Sequence, residues 1–226
     1  MVLLLILGIL IFIQVKIYNK SSYHEITKNS AWEVYTNVGK LGEFLTYHNL
    51  RIFEKAGAKF LFNLYIPKEN KETTELDLIM ICRKGIIVFE SKNYSGWIFG
   101  DEHSKMWMQT LPSGKGKSHK TQFYNPIFQN QTHINILKHI IGDTIPIFSI
   151  ITFSKRCVLK KVPQNTNKVK IIKRNNVIFT VSDIVGNAPD VLTQTEVIKL
   201  YGELYKYTQV DEVIKQDHIQ NIKKKF

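Results

Sequence analysis

Cysteine is scarce in this chain. Its 226 residues include only two cysteines, Cys82 and Cys157, which lie far apart and inside apolar runs. The sequence has neither a C-x-x-C motif nor a Cys/His cluster, which argues against a zinc site. We therefore expect two reduced, buried thiols, as is typical of a catalytic region in the cytoplasm.

Acidic residues are also in the minority. The chain has 31 Lys and Arg against 19 Asp and Glu, so its formal net charge is +12. This bias favours a polyanionic partner, either nucleic acid or an anionic membrane face, although a merely solubilising surface has the same composition. The sequence shows no internal repeat, and its 44% hydrophobic content is enough for one core with an appendage or a small second unit.

Charged side chains are missing from residues 1–15. A membrane-spanning helix needs about 17–25 mostly apolar residues, so 2–18 is just long enough. A cleaved signal peptide is the rival interpretation, but no positive region precedes the run and no small-x-small pattern follows it. A third interpretation is a buried core helix, but the apolar surface all round the helix argues against it. We expect a single-pass anchor in the cell membrane, and Lys16, Lys20 and Lys28 then place the bulk of the chain in the cytoplasm.

Charge interrupts an otherwise apolar stretch at 74–94. Two apolar runs flank a short polar break at 82–84, which predicts a pair of buried strands joined by a tight turn. Asp77 interrupts the first strand, while Glu90 and Lys92 end the second on one face, with the residue between them pointing away. Antiparallel pairing would bring the two carboxylates together beside the ammonium, an arrangement that suits a hard divalent cation. The alternative is a salt bridge at a sheet edge.

A helical pattern at 31–57 precedes these strands, and a strand is predicted at 59–66. The positions that recur at helical spacing are Val38, Leu41, Leu45 and His48. Gly39 and Gly42 each cost about 1 kcal/mol relative to Ala in a helix, so they indicate the close approach of another backbone or a ligand. Glu43 follows directly, either as a solvated helix residue or as part of a site.

Two short segments, 96–100 and 106–110, predict a hairpin or two edge strands. Their Trp97 and Trp107 are expected to cover the core rather than to stack on bases. The next stretch, 111–122, is expected to be a mobile basic loop. Its basic side chains either contact phosphates or are merely solvated: Lys115, Lys117, His119 and Lys120.

A second helix is predicted to begin at Asn125-Pro126, with Asn at the N-cap and Pro at the first helical position. Gln129 lies in its first turn. The expected buried face consists of Ile127, Ile134, Leu137 and Ile141. Because the run 145–153 predicts a buried strand, the helix would form a parallel crossover within the sheet.

Beyond residue 153 the sequence predicts two short strands, at 169–172 and 177–181. Ser182-Asp183 is expected to cap a short helix. Thr193 or Thr195 begins a further helix, whose expected core positions are Val197, Leu200, Leu204 and Tyr207. The closing run Lys223-Lys224-Lys225 is either a solvated tail or a contact for an anionic membrane or nucleic acid.

Taken in order, these features resemble the NERD (nuclease-related domain) family over 34–153. The matching features are Gly39-x-x-Gly42-Glu43, Asp77, Glu90-x-Lys92, Gly96, Trp107 and Asn125-Pro126-x-x-Gln129. Such domains are assigned to the restriction-endonuclease-like PD-(D/E)xK superfamily. The resemblance implies an α/β fold with an αβββαβ core, in which a central mixed sheet is flanked by helices. In this chain we expect an N-terminal transmembrane helix before that core.

The resemblance also implies a role for each site residue. Asp77 and Glu90 would ligate Mg²⁺ or Mn²⁺, and Glu43 would complete or support that metal site. Lys92 would orient or activate the attacking water, and Gln129 would be an accessory site residue. One departure is that Leu76 precedes Asp77 where many superfamily members have Pro.

These expectations divide the chain into an anchor (1–20), a linker (21–33), a nuclease-like domain (34–153) and an α/β extension of unknown role (154–226). The expected function is that of a membrane-anchored, metal-dependent phosphodiesterase that cleaves nucleic acid, with DNA favoured over RNA. The alternative is a non-catalytic nucleic-acid-binding or scaffold module at the membrane. A third hypothesis, an adaptor protein, has no direct support in the sequence, which also leaves the oligomeric state open.

Overall fold

A computed structural model of the protein describes residues 2–68, 72–114, 116–163, 166 and 168–225. Its helices are α1 (Val2–Asn19), α2 (Ser22–Thr27), α3 (Ala31–Thr36), α4 (Val38–Leu50), α5 (Ile52–Lys55), α6 (Pro126–Ile141), α7 (Val177–Asn187), α8 (Gln194–Tyr205) and α9 (Glu212–Lys225). Its strands are β1 (Lys59–Pro67), β2 (Thr73–Cys82), β3 (Gly85–Lys92), β4 (Gly96–Phe99), β5 (Met106–Pro112), β6 (Ser118–Tyr124), β7 (Ile147–Phe153), β8 (Cys157–Lys161) and β9 (Lys170–Lys173).

The first sheet has the strand order β1-β2-β3-β7-β9. Strands β1, β2 and β3 pair antiparallel, and the predicted tight turn joins Cys82 to Gly85, which are register partners. At Gly85 φ is +119°, and an added Cβ would lie 2.3 Å from the carbonyl oxygen of Pro146, so only glycine fits this turn. Strands β7 and β9 lie parallel to β3 and β7 respectively, which makes the sheet mixed.

Helix α6 is the crossover that connects the two halves of this sheet. Its N-cap is Asn125, whose side chain accepts a hydrogen bond from the Ile127 amide, and Pro126 follows at the first helical position, as predicted. The helix leads into β7, which pairs parallel with β3. Helix α4, strands β1 to β3, α6 and β7 therefore follow one another in the expected order, with three further strands inserted between β3 and α6.

The inserted strands belong to a second, four-stranded sheet with the order β6-β5-β4-β8. Strands β4 and β5 form the predicted hairpin, and β8 joins β4 in parallel. The prediction of a mobile loop at 111–122 is wrong for its second half, because β6 pairs antiparallel with β5 over seven residues. Strand β6 lies at the edge of the sheet with five exposed residues, so its sequence lacks the apolar alternation of a half-buried strand.

The predicted helix at 31–57 is divided into α3, α4 and α5. The chain leaves helical geometry at Asn37, whose side chain caps α4 by accepting a hydrogen bond from the Lys40 amide. The expected buried face was wrong at Val38, which is exposed. Aromatic packing determines the buried face instead, since Phe44 and Tyr47 contact rings from α1, α2 and β1.

The N-terminal helix α1 is long and apolar enough to cross a membrane, with a mean hydropathy of 2.2, and most of its side chains are exposed. Its last turn differs, because Tyr18 is buried and its hydroxyl donates to the Asn29 carbonyl at 2.7 Å. The stretch 21–33, expected to be a linker, contains α2 and the start of α3. Tyr23 and Ile26 of α2 belong to the main hydrophobic core.

In the C-terminal part, the strand predicted at 177–181 is wrong. The segment is helix α7, and Ser182-Asp183 lie inside it rather than capping another helix. Its β-branched residues suggested a strand, but Val177, Val181 and Ile184 recur at helical spacing and are the buried ones. Strand β9 matches the other predicted strand, and α8 begins with a capping box at Thr193 as predicted.

Candidate active site

Asp77 and Glu90 lie where β2 and β3 separate. The last register pair of the hairpin at this end is Leu78 with Phe89, so Asp77 and Glu90 come next on the two strands. The Asp77 carboxylate accepts a hydrogen bond at 2.9 Å from the Ser91 amide. This bond takes the place of a backbone ladder contact and holds the Asp77 side chain against β3. The antiparallel pairing therefore brings the two predicted carboxylates to one sheet end.

Lys92 connects Glu90 to helix α6. Its Nζ lies 2.6 Å from Glu90 Oε1 and donates a second hydrogen bond, at 2.9 Å, to Gln129 Oε1. Ser91 points to the other side of the strand, where its hydroxyl lies 3.3 Å from that of Thr46 on α4. Alternation along β3 thus separates the charged pair from the residue between them, as predicted. Gln129, from the first turn of α6, joins the same group of side chains.

The charges of this group are strongly coupled. Burial alone would raise the pKa of Glu90, but Lys92 and His133 outweigh it and hold the pKa below its usual range. Burial would likewise lower the pKa of Lys92, but Glu90 and Asp77 outweigh it and raise the pKa. Asp77 behaves in the opposite way to Glu90, because burial and the neighbouring charges of Glu90 and Glu43 raise its pKa well above the usual range. The group therefore combines a charged Glu90–Lys92 pair with a neighbouring carboxyl, Asp77, whose pKa is raised.

Glu43 on α4 is electrostatically close to Asp77 but bonded elsewhere. The hydroxyl of Tyr23 donates to Glu43 Oε2 at 3.1 Å. Burial, and then the charge of Glu75, raise the pKa of Glu43 to about 8. In the described part of the chain, no group of three or more His, Cys, Asp or Glu side chains is arranged to hold a metal ion. A metal site here would therefore depend on Asp77 and Glu90, with Glu43 in support.

The donor set nevertheless fits a hard divalent cation. Glu90 Oε2 is buried and has no aligned hydrogen bond, although it lies 3.2 Å from His133 Nε2. The raised pKa of Asp77 means that its negative charge has no sufficient partner among the protein groups. Magnesium sites commonly use one or two carboxylates and fill the remaining positions with water and substrate phosphate. A cation near Asp77 and Glu90 would satisfy both features.

His133 is a site residue that the sequence reasoning missed. It is buried on α6, with Nε2 facing Glu90 and Nδ1 2.8 Å from the Thr74 hydroxyl. The available signal was its spacing, since His133 follows Gln129 by four residues and so lies on the same face of the helix. Its contacts with β2 and β3 place it behind Glu90, where it fixes the direction of that carboxylate.

Close approach at Gly42, predicted from its presence in a helix, is confirmed. A Cβ at this position would lie 2.7 Å from Cβ of Asn93, the residue after β3. Arg174 was also missed: its buried guanidinium donates to the Gly42 carbonyl at 3.1 Å and to the Asn93 side chain at 3.2 Å. Arg174 thus ties α4 to the end of β3 from a region far along the chain. Gly39, by contrast, would place a Cβ only against Asn37, at 3.3 Å.

The predicted phosphate-contacting residues lie on the other sheet. Lys117 precedes β6, and His119 and Lys120 are exposed on this edge strand. Lys115 lies outside the described residues. The structure therefore places the basic residues together on an exposed edge, separate from the carboxylate group.

The two tryptophans of the second sheet have different environments. Trp107 is 1% exposed and stacks on Phe153, which confirms that it covers the core. The same prediction is wrong for Trp97, which is 50% exposed, with Lys160 Nζ 5.3 Å from its ring centroid. Alternation along β4 explains the difference, because Ile98 takes the core-facing position and turns Trp97 outward.

This mixed α/β domain thus places two carboxylates, a lysine and a glutamine at one sheet end. The model of the nuclease-related domain family matches residues 38–154, just over half of the chain. The chain belongs to this family. It is also 30% identical over 189 residues to an uncharacterized protein, pXO1-01, of Bacillus anthracis, and the match covers 83% of this chain and 85% of that protein. No solved structure matches the chain.

Proposed function

We propose that this protein is a membrane-anchored, metal-dependent phosphodiesterase that hydrolyses nucleic acid, with DNA favoured over RNA. The observation that carries the proposal is the position of Lys92, whose ammonium lies between Glu90 and Gln129 at the sheet end that also holds Asp77. Burying these charges costs free energy that a purely structural sheet end would avoid with apolar residues. A catalytic role at this position would account for the presence of these charged residues.

The element order supports a restriction-endonuclease-like core of the PD-(D/E)xK type. In this assignment α4 is the first core helix, β1 to β3 form the antiparallel part, and α6 with β7 completes the αβββαβ arrangement. Asp77 supplies the first acidic residue of the motif, and Glu90 and Lys92 supply the second acidic residue and the lysine. The family match over 38–154 spans all of these elements.

Asp77 and Glu90 would hold Mg²⁺ or Mn²⁺, which when bound lowers the pKa of an attacking water and neutralises charge that develops on the phosphate. Lys92 remains protonated at neutral pH because its pKa is raised, so it donates hydrogen bonds and does not act as a base. Its ammonium would orient the water or a phosphate oxygen. Gln129 Oε1 accepts a hydrogen bond from the Lys92 ammonium, and His133 lies against Glu90, so the first turns of α6 fix both partners of the pair.

The membrane anchor in this proposal is α1. Its exposed apolar surface is suited to lipid, and the lysines that follow it, Lys16, Lys20 and Lys28, favour a cytoplasmic location for the rest of the chain. The protein would thus be a single-pass protein of the cell membrane that acts on nucleic acid at the cytoplasmic face.

A cleavage assay tests the proposal. The full chain in detergent would be incubated with plasmid, single-stranded DNA and RNA, in Mg²⁺, in Mn²⁺ or in EDTA. The test variant is Asp77→Asn, which replaces the proposed carboxylate ligand with an uncharged amide of nearly the same size and so preserves the packing. The matched control is Asp143→Asn, the same change on an exposed side chain. We expect metal-dependent cleavage by the parent and the control, and a loss of at least about 100-fold in Asp77→Asn.

Equal metal-dependent cleavage by Asp77→Asn and the parent would refute the site. Nucleic-acid binding without metal-stimulated cleavage would instead favour the second candidate, a non-catalytic binding or scaffold module at the membrane. One observation favours that candidate: the Glu43 carboxyl accepts a hydrogen bond from Tyr23, and among the described residues it is not arranged with Asp77 and Glu90 as a three-carboxylate metal site.

A further inference from the structure

The second sheet has one face on the core and an opposite face on which several side chains are exposed, although Thr110 on that face is buried. Ile98 and Trp107 point into a small hydrophobic core together with Phe153. Alternation therefore directs Trp97 of β4 and Lys120 of β6 to the opposite side, which we call the outer face. The large exposed fraction of Trp97 agrees with this assignment.

Register places the exposed indole between two lysines. Trp97 pairs with Val158 of β8 on one side and with Thr110 of β5 on the other, and Thr110 pairs in turn with Lys120. Adjacent strands lie about 4.8 Å apart, so Lys120 is about 10 Å from Trp97 across the sheet. On the other side, Lys160 holds its ammonium 5.3 Å from the ring centroid. A half-exposed aromatic ring is thus flanked by cations in both directions.

The charge of the sheet has one sign. Strands β4, β5, β6 and β8 contain three lysines and no aspartate or glutamate. A ligand that complements this face carries regularly spaced negative charges and flat rings that can stack on an indole. Single-stranded nucleic acid has both properties, whereas a duplex keeps the faces of its bases covered by their neighbours.

We propose that the outer face binds single-stranded nucleic acid, with a base stacked on Trp97 and phosphates on Lys160 and Lys120. The inference deepens the proposed nuclease function, on which it rests, by naming the form of the substrate. Trp97 follows Lys92 by five positions in the sequence, so their Cα atoms are at most about 18 Å apart. A strand bound on the outer face therefore passes close to the sheet end that carries Lys92.

Binding is measured without cleavage, so the two proposals can fail separately. The full chain in a neutral detergent, with EDTA present, is titrated into a fluorescein-labelled dT oligonucleotide and into a duplex of equal length, and anisotropy is recorded. The variants are Trp97→Ala and Trp97→Phe. The matched control is Trp32→Ala, since Trp32 on α3 is also exposed, at 80%, but lies outside the second sheet.

We expect Trp97→Ala to weaken single-strand binding by about 5-fold to 20-fold, the lower part of the range for loss of one stacked base. Trp97→Phe retains a ring and should stay within about 3-fold of the parent, and Trp32→Ala within about 2-fold. Replacing Lys160 and Lys120 by Ala should each lower the slope of log K against log salt by about 0.7. Unchanged melting temperatures would establish that the variants are folded.

Three outcomes overturn the proposal. The first is single-strand affinity of Trp97→Ala within 2-fold of the parent. The second is an equal loss for the duplex, because it would mean that the face attracts phosphates without stacking on a base. The third is that Trp97→Ala abolishes self-association in sedimentation while oligonucleotide affinity is unchanged, which would show that a second copy of the chain covers the face. Absence of cleavage in the metal assay leaves all of these measurements informative.

Discussion

The buried Glu90–Lys92 pair allows a quantitative test of the site. The Glu90 side chain is 1% exposed and that of Lys92 is 16% exposed, and their charged atoms are 2.6 Å apart. Lys92→Met would leave the Glu90 carboxylate buried without its main partner. Removing one partner of a buried pair costs about 3–5 kcal/mol, whereas replacing both with residues of similar volume is often close to neutral. The double variant Glu90→Gln/Lys92→Met should therefore be more stable than Lys92→Met.

The assay is thermal unfolding of the parent, the two single variants and the double variant. For a chain of this size, 1 kcal/mol corresponds to about 2–4 °C, so Lys92→Met should lower the melting temperature by about 6–20 °C. The loss should be larger at pH 8 than at pH 5. Without Lys92, burial raises the pKa of Glu90 above its unfolded value, and stability then falls as pH rises through that interval.

The exposed pair Lys199–Glu203, on one face of α8, is the control cycle and should show little coupling. A coupling between Glu90 and Lys92 below about 1 kcal/mol would refute the buried-pair geometry. The cycle also bears on activity measurements. A Lys92 variant that fails to cleave DNA can have lost its fold, so Asp77→Asn is the more direct test of chemistry.

Three further predictions concern Glu43, Gly42 and helix α1. Burial raises the pKa of Glu43 to about 8, so the folded state binds this proton more tightly than the unfolded state does, and stability falls as the pH rises from about 4.5 to 8. Glu43→Gln should therefore stabilise the protein on the order of 2 kcal/mol at pH 8 and hardly at pH 5. Thermal melts at both pH values test this. Gly42→Ala should cost about 1–3 kcal/mol through its clash with Asn93, whereas Gly202→Ala, which has open space around it in α8, should stabilise by up to about 1 kcal/mol. The full chain should remain in the membrane pellet after an alkaline carbonate wash, and its release into the supernatant would contradict an anchor at α1.

Much of the sheet end could be predicted because its signals are local. The apolar runs of β2 and β3 and the tight turn between them fix one antiparallel register, and that register alone brings Asp77 near Glu90. The helix signal at Asn125-Pro126 is equally local, and it places Gln129 in the first turn of α6. In both cases, residues close together in the sequence were enough to predict where the site residue lies.

The missed residues depend on contacts that are remote in sequence. Arg174 contacts Gly42 across 132 residues, and no local pattern predicts that role. His133 contacts Thr74 across 59 residues, so its helical spacing from Gln129 indicates its face on α6 but not its partner. Strand β6 was missed for another reason: its pairing is supplied by the backbone of β5, while its own side chains remain polar. In α7 the β-branched composition outweighed the helical spacing of its buried residues, although the spacing was correct.

If α1 spans a membrane, as proposed above, the burial of Tyr18 has a mechanical consequence. The Tyr18 ring in the last turn of α1 packs against Phe44 of α4, with ring centroids 5.1 Å apart, so α1 enters the folded domain without a flexible joint. The domain would then be held in one orientation relative to the bilayer, and it could reach only nucleic acid that comes to the membrane face. A change in the tilt of α1, such as a thicker bilayer imposes, would then shift the position of α4, the helix that carries Gly42 and Glu43.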